Sequence, residues 1–321
     1  MPKNTKTAAV GGHYSGRIRM HTWLRLFVLG FLLYAVAAGF GDLQSSLSAV
    51  RQAEPWLLVL AAAAIALSYV FAATTIILLA VKKLPFLPTL SVQIAGGLVN
   101  RMLPAGLGGM GLNAFYLKKQ KHPLPVASAI VATNNLLGFI GNILLIGMTA
   151  LVMPLAPSQV QLPHVPLPVI AGVVAVLTVA VIIFARLHGA RRKIRQFLTD
   201  VGRYGRALAA RPLRSLLALA SSGMLTALHA LGLLLVLQAV GGPAQWSLAL
   251  LAISVGAFAG AAVPTPGGLG GAEAGIATTL VAFAVPLELA VTAALVYRGL
   301  TYWLPLLPGY VALRIVEKRY L

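Results

Sequence analysis

Val263-Pro264-Thr265-Pro266-Gly267-Gly268-Leu269-Gly270-Gly271-Ala272-Glu273 interrupts an otherwise apolar segment, and its backbone chemistry decides the fold. Pro264 and Pro266 lack an amide hydrogen and are costly inside a helix, while four glycines in five positions let the chain turn sharply. The stretch predicts one helix that stops before it and a second that restarts after it. In hydrocarbon, non-helical backbone is tolerated only where it is buried in protein or lines a watery cavity, so the break is expected to face a functional interior.

The break has a twin. Pro104-Ala105-Gly106-Leu107-Gly108-Gly109 matches Pro266-Gly267-Gly268-Leu269-Gly270-Gly271 as Pro-x-Gly-Leu-Gly-Gly, 162 residues apart in a chain of 321. That spacing predicts an internal repeat, and paired Gly/Pro interruptions in two halves point to a transporter's binding site. The plainer alternative is a pair of packing glycines or simple loops.

Composition sets the surroundings. Hydrophobic residues make up 59% of the chain and charged residues 10%, and several apolar stretches exceed the roughly 18 residues that mark a spanning helix. No polar stretch is long enough for a soluble catalytic domain of about 100 residues. The absence of cysteine excludes a disulfide framework and a thiolate metal site. The formal charge of +19 is explained without nucleic acid: Lys and Arg gather in loops held on the cytoplasmic side, against anionic lipid.

Charge then orders the chain. Residues 1–22 are a basic, cytoplasmic N-terminus, and Leu24 to Phe40 is read as an uncleaved first span. Trp56 to Val81 returns to Lys82-Lys83. A first re-entrant hairpin, about 90–117, dips in from the cytoplasm and ends at Lys118, Lys119 and Lys121, and Val126 to Met153 spans outward. The loop 154–168 is proline-rich, free of Lys and Arg, and external. Val169 to Leu187 leads back to a cytoplasmic amphipathic segment, 188–215, in which Ile194, Phe197, Leu198 and Val201 recur at helical spacing among eight arginines and lysines, suiting an anionic bilayer surface. Leu216 to Val240 spans outward. A second hairpin, about 246–285, is flanked by no basic residue and enters from outside. The last span, Leu289 to Leu313, leaves 314–321 as a cytoplasmic tail.

On this route 22 of the 25 Lys and Arg fall on the cytoplasmic side, leaving Arg51 outside and Arg101 and Arg298 within hydrophobic regions. The reading is an all-α polytopic membrane protein of about six spanning helices plus two re-entrant helical hairpins, with residues 23–153 and 169–313 as inverted-topology repeats. Halves of that kind are a common basis of alternating access.

Chemistry is expected at the breaks. A helix restarting after a glycine turn presents free amides and the positive end of its dipole, an anion site that a phosphate fits. The expected substrate-binding set is Arg101, Pro104, Gly106, Gly108 and Gly109 at the first break, and Pro266, Gly267, Gly268, Gly270, Gly271, Glu273 and Arg298 at the second. Glu273 and Arg298 are intramembrane charges that either pair as a static brace or handle a headgroup or proton. Arg101 either meets a lipid phosphate with its fork of donors or snorkels to the surface. His229 is expected to be a hydrogen-bonded packing histidine, Asn134, Asn135 and Asn142 to bond across helices, and Glu288 to be solvated. No metal spacing, carboxylate pair or nucleophile beside a base is present, so no catalytic residue, metal or cofactor is expected.

Leu103-Pro104-Ala105-Gly106-Leu107-Gly108-Gly109 with Ala114 to Lys119, and Pro266 to Gly270 with Glu273 and Tyr297-Arg298-Gly299-Leu300, resemble the lysylphosphatidylglycerol synthase transmembrane (flippase-like) family. The likeness spans roughly Leu24 to Arg314 and extends to family members found beside hopanoid or polyprenyl-lipid genes. It implies a bacterial inner-membrane protein, termini cytoplasmic, that moves an anionic phospholipid or a polyprenyl/isoprenoid lipid between leaflets, alone or as a homo-oligomer. The synthase's soluble aminoacyl-transfer domain is not seen, so no aminoacyltransferase activity is expected. The sequence departs from the family after the first glycines, where Met110 and Asn113 stand in place of an acidic residue and an arginine. Two rival readings are a membrane enzyme acting on a lipid phosphate through Glu273 and His229, and a scaffold for a lipid-modifying complex docking through Arg191 to Arg214.

Overall fold

A computed structural model describes residues 53–103, 106–152, 188–263 and 265–320, without the side chains of 188–194, 196, 198 and 209. The expected spans Leu24 to Phe40 and Val169 to Leu187, the loop 154–168, and residues Arg51, Pro104 and Pro264 lie outside the described residues.

The described residues form ten α-helices and no strand. Helix α1 (Pro55–Leu79) begins with Pro55 at its first position, where a missing amide costs nothing, and Glu54 N–H donates to Ala239 O at 3.1 Å. Helix α2 (Phe86–Met102) and α3 (Leu107–Lys119) flank the first break, and α4 (Leu124–Val152) follows. The basic α5 (His188–Ala209) leads into α6 (Pro212–Ala239). Around the second break stand α7 (Trp246–Ala262), a short 3-10 turn (Pro266–Gly268) and α8 (Gly271–Ala282). The chain ends with α9 (Leu287–Arg298), a π turn (Gly299–Trp303) and α10 (Leu306–Tyr320).

Helices α1, α4 and α6 are each long and apolar enough to cross a bilayer. Their outward side chains are apolar as well: Phe139, Ile143, Leu144, Met148 and Leu151 of α4 are all exposed, a surface suited to lipid. Helix α1 lies along α6 and carries a hydrophobic cluster near each end. One cluster joins Ile65 with Leu233, Leu248, Leu280 and Ala293. The other joins Leu79 with Val92, Tyr116, Ile130 and Val316. Alanines are frequent in both, as expected where helices gain from close approach rather than from escaping water.

Two elements differ from the sequence reading. Helix α6 starts at Pro212 rather than Leu216, because Pro212 supplies a ready-made first turn and Arg214, one turn in, bonds α1: its Nη2 donates to Ile77 O at 3.0 Å and Ala80 O at 2.9 Å. The expected continuous span Leu289 to Leu313 is instead opened by the π turn. Pro305 and Pro308 cannot donate to the carbonyls of Thr301 and Leu304, and Leu304 N–H reaches back to Gly299 O at 2.9 Å.

The amphipathic segment forms the single helix α5, with Phe197 exposed and Val201, Tyr204 and Leu208 packed against the second cluster. The Tyr204 hydroxyl donates to Leu79 O at the end of α1. Burial pushes that phenol up to about 12, against the opposing pull of Arg214.

Candidate functional site

The two breaks come together. Helix α2 carries Arg101 against the 3-10 turn, so closely that a Cβ on Gly267 would lie 3.2 Å from the Arg101 Cα and 2.6 Å from the Tyr302 ring. Gly267 and Gly268 have φ of 62° and 68°, left-handed values that L side chains rarely adopt, and a Cβ on Gly268 would sit 2.5 Å from Gly260 O. No other residue fits this turn between α7 and α8.

At the second break, charge closes on itself. The Arg298 Nε donates to Glu273 Oε1 at 2.7 Å, with the two side chains only 14% and 17% exposed. Glu273 Oε2 accepts the Gly270 N–H at 2.8 Å, and Arg298 Nη2 donates to Gly267 O at 3.1 Å. Glu273, three residues into the restart of α8, therefore supplies the negative charge that the helix end attracts. The two intramembrane charges of the sequence thus form an ion pair. Gly271 packs under Ala259.

At the first break the fastening is neutral. Gly106 takes φ 72° before α3, and the Gly109 N–H donates to the Asn100 side-chain oxygen. Asn113 Nδ2 donates to Gly109 O at 2.9 Å and Gln93 Nε2 to Asn113 Oδ1 at 2.8 Å. Gly108 packs against the Val99 carbonyl. The Gly109 amide that was expected to face an anion is thus already taken by a side chain from α2.

Arg101 stands between these arrangements. Its Nη2 donates to Thr301 O, the carbonyl that Pro305 leaves unpaired, so the π turn and the arginine's position share one cause. Its Nε and Nη1 are buried without a hydrogen-bond partner. Tyr302 offers its ring to both arginines, with the Arg298 guanidinium 4.9 Å and that of Arg101 5.6 Å from the centroid. Glu273 compensates Arg298 alone; among the described residues Arg101 has no carboxylate within reach.

Two chambers adjoin in the interior, one of them lined by Arg101. A polar one of about 410 Å³ is lined by Arg101, Gln93, Asn100, Asn113, Asn134 and Asn135 among others. An apolar one of about 570 Å³ runs between α4, α6 and α7 past Phe139 and Phe258, whose rings meet edge to face at 6.2 Å. Asn135, Gly138, Leu225, Thr226 and His229 line both. A smaller space of about 320 Å³ separates Gly106 from Gly267, Gly268 and Arg298 at the two breaks.

His229 is held by hydrogen bonds, as expected. The Ser68 hydroxyl gives its proton to Ile65 O, so Nε2–H of the neutral ring donates to Ser68 at 3.3 Å and Nδ1 accepts from Tyr297 at 2.9 Å. His229 and Glu273 share no hydrogen bond. Asn142 bonds across helices to Ser254 at 2.9 Å, whereas Asn134 and Asn135 line the chambers, and Glu288 is exposed. Among the described residues no His, Asp or Glu cluster could hold a metal. Sequence reasoning missed Gln93, Asn100 and Tyr302. The signal available was position: Asn100 directly precedes Arg101, and Tyr302 lies one turn beyond Arg298.

Three long apolar helices and an interior built on two broken ones define a multi-pass, all-helical membrane protein. A family model, lysylphosphatidylglycerol synthase TM region, matches residues 23–309, and the chain belongs to that family. It is accordingly a membrane protein of lipid metabolism or transport. No curated protein sequence matches the chain.

Proposed function

We propose that this protein is a lipid flippase or transporter of the bacterial inner membrane, and that it acts without chemical catalysis. The observation that carries the reading is the junction of the two chambers. A polar cavity holding an uncompensated arginine lies directly against an apolar groove between helices, with five residues lining both, an arrangement suited to an amphiphile. The headgroup phosphate sits against Arg101 near Gly106 to Gly109, and the hydrocarbon chain leaves past Phe139 and Phe258.

In this reading α2–α3 and α7–α8 are re-entrant hairpins, the first from the cytoplasm and the second from outside, within inverted repeats of a six-span protein whose termini are cytoplasmic. The two hairpins share one order of parts. A 17-residue helix, a glycine turn and a second helix end in a left-handed residue and then a proline, at Lys121 and Pro123 and again at Ala284 and Pro286. Rocking of one half against the other around Arg101 gives each leaflet access in turn. Glu273 and Arg298 brace the second tip during that motion.

The test is translocation of fluorescent phosphoglycerolipids and polyprenyl phosphates in vesicles holding equal amounts of protein. Wild type is expected to move one of these classes, and Arg101→Ala and Asn135→Leu to stop it. Wild-type rates in both variants would sink the site. A lipid phosphate hydrolysed or transferred by purified protein would instead favour an enzyme.

A further inference from the structure

The side chains of the polar chamber also say what headgroup it takes, an inference that rests on the transporter reading above. Five carboxamides face it: Gln93, Asn100, Asn113, Asn134 and Asn135. Hydroxyls of α1 and α6, among them Ser68 and Thr226, add to the polar lining together with the His229 ring and Thr301. Among the described residues Arg101 is the one Lys or Arg that lines it, and no Asp or Glu does. The nearest acid at the breaks, Glu273, spends both oxygens on Arg298 and Gly270.

Each carboxamide has two N–H donors and a carbonyl acceptor, the mixture that hydroxyl groups answer from both sides. The bonds from Gln93 to Asn113 and from Asn113 to Gly109 fix two of them while leaving spare donor and acceptor capacity, and Asn134 and Asn135 make no side-chain hydrogen bond with the described residues. Arg101 keeps Nε and Nη1 as buried donors without a protein partner, on separate edges of the guanidinium, and each can meet a phosphate oxygen. An ammonium brought into the same chamber meets Arg101 as a like charge and finds no carboxylate, which is how a site rejects a wrong partner.

We propose that this chamber takes a lipid phosphodiester whose remaining headgroup is uncharged and rich in hydroxyls, a glycerol or a sugar, and rejects a headgroup bearing a free amine. A lysyl ester of phosphatidylglycerol, the lipid named in the family's description, is thereby excluded as cargo.

The experiment is native mass spectrometry of the purified full chain with equimolar phosphatidylglycerol and its lysyl ester, matched in acyl chains. Phosphatidylglycerol is expected to be retained at least tenfold over the ester, and Arg101→Ala to remove that excess. Asn135→Asp, or Asn134→Asp should the first fail to express, supplies a carboxylate and is expected to shift the ratio at least tenfold toward the ester. Equal retention of the two lipids, with Arg101→Ala weakening both, would overturn the headgroup selection and leave the transporter site standing. Retention indifferent to Arg101→Ala would overturn the site itself. Displacement of the lipid by equimolar glycerol phosphate would make the ligand a soluble phosphate ester and overturn the lipid assignment.

Discussion

The hairpins α2–α3 and α7–α8 are built from the same parts and fastened by opposite chemistry. Both have a first arm of 17 residues and a glycine with positive φ at the turn. Both close with the same pair of bonds, from His122 N–H to Leu117 O and Lys121 N–H to Lys118 O in one, and from Val285 N–H to Leu280 O and Ala284 N–H to Val281 O in the other. The second tip is locked by an ion pair that also caps its helix; the first is held by carboxamides. Charge satisfied within the protein makes a rigid part. Neutral groups with spare donors and acceptors make a lining, and the one charge left over, on Arg101, lies where the two meet.

Breaking the second tip should have the largest effect. Gly268→Ala combines a left-handed φ with a Cβ 2.5 Å from Gly260 O, and the two penalties together cost about 3 to 4 kcal/mol. Gly270→Ala meets nothing within 4 Å and carries only the backbone penalty of its φ 82°, ψ −49° conformation, about 2 kcal/mol. Thermal unfolding in detergent distinguishes the two, and equal losses would mean that the close packing of the 3-10 turn on α7 contributes nothing.

Exchanging the fastening comes next. Glu273→Gln leaves the Arg298 guanidinium shielded and unpaired, a loss of about 2 to 3 kcal/mol. Asn113→Ala at the first tip removes neutral bonds worth about 1 kcal/mol. Comparable shifts in unfolding temperature for the two would erase the proposed distinction between brace and lining.

The hairpin ends offer a smaller and opposite effect. Lys121 and Ala284 both sit at φ 62° without being glycine, a strain of roughly 1 kcal/mol. Ala284→Gly and Lys121→Gly should each stabilise by about 0.5 kcal/mol after the glycine's own entropy is counted. Destabilisation on either side would mean that the side chain, rather than the backbone, governs that turn.

How much of this was legible in the sequence follows from backbone chemistry. The breaks could be read because proline and glycine act on the chain itself, and the pairing of Glu273 with Arg298 because two charges in an apolar region have few alternatives. The opening at Gly299–Trp303 was missed because hydropathy sees Pro305 and Pro308 as merely apolar, whereas their consequence is a carbonyl on Thr301 that only a distant Arg101 satisfies. The carboxamide lining was hidden for a similar reason. Gln93 and Asn100 share one face of α2, seven residues apart, but Asn113 lies on α3, and nothing in the sequence says that the turn folds α3 back to bring it onto the same cavity.

The last contrast is between His122 and Val285, equivalent residues of the two hairpin ends. His122 is only 2% exposed. Its Nδ1–H donates to Leu117 O at 3.2 Å and its Nε2 accepts the Lys82 amide at 3.2 Å, tying the α1–α2 loop to the end of α3. Burial lowers its pKa from 6.5, the Lys82 charge adds to this, and hydrogen bonds to the Leu117 and Gln120 carbonyls oppose it. A proton on Nε2 would face a donor, so the fold prefers the neutral ring. The stabilisation is therefore complete above the unfolded-state value of about 6.5 and is lost as pH falls from there through the lowered folded-state value. His122→Val copies the other hairpin. At pH 7.5 it should lower stability by about 1 kcal/mol through the unpaired Lys82 amide. At pH 5 that deficit should shrink, because wild type has by then lost part of what the histidine supplied. Unfolding temperatures of both proteins at the two pH values decide it, and a deficit that stays constant would show that His122 does not titrate in this range and acts only as a hydrogen-bonded spacer.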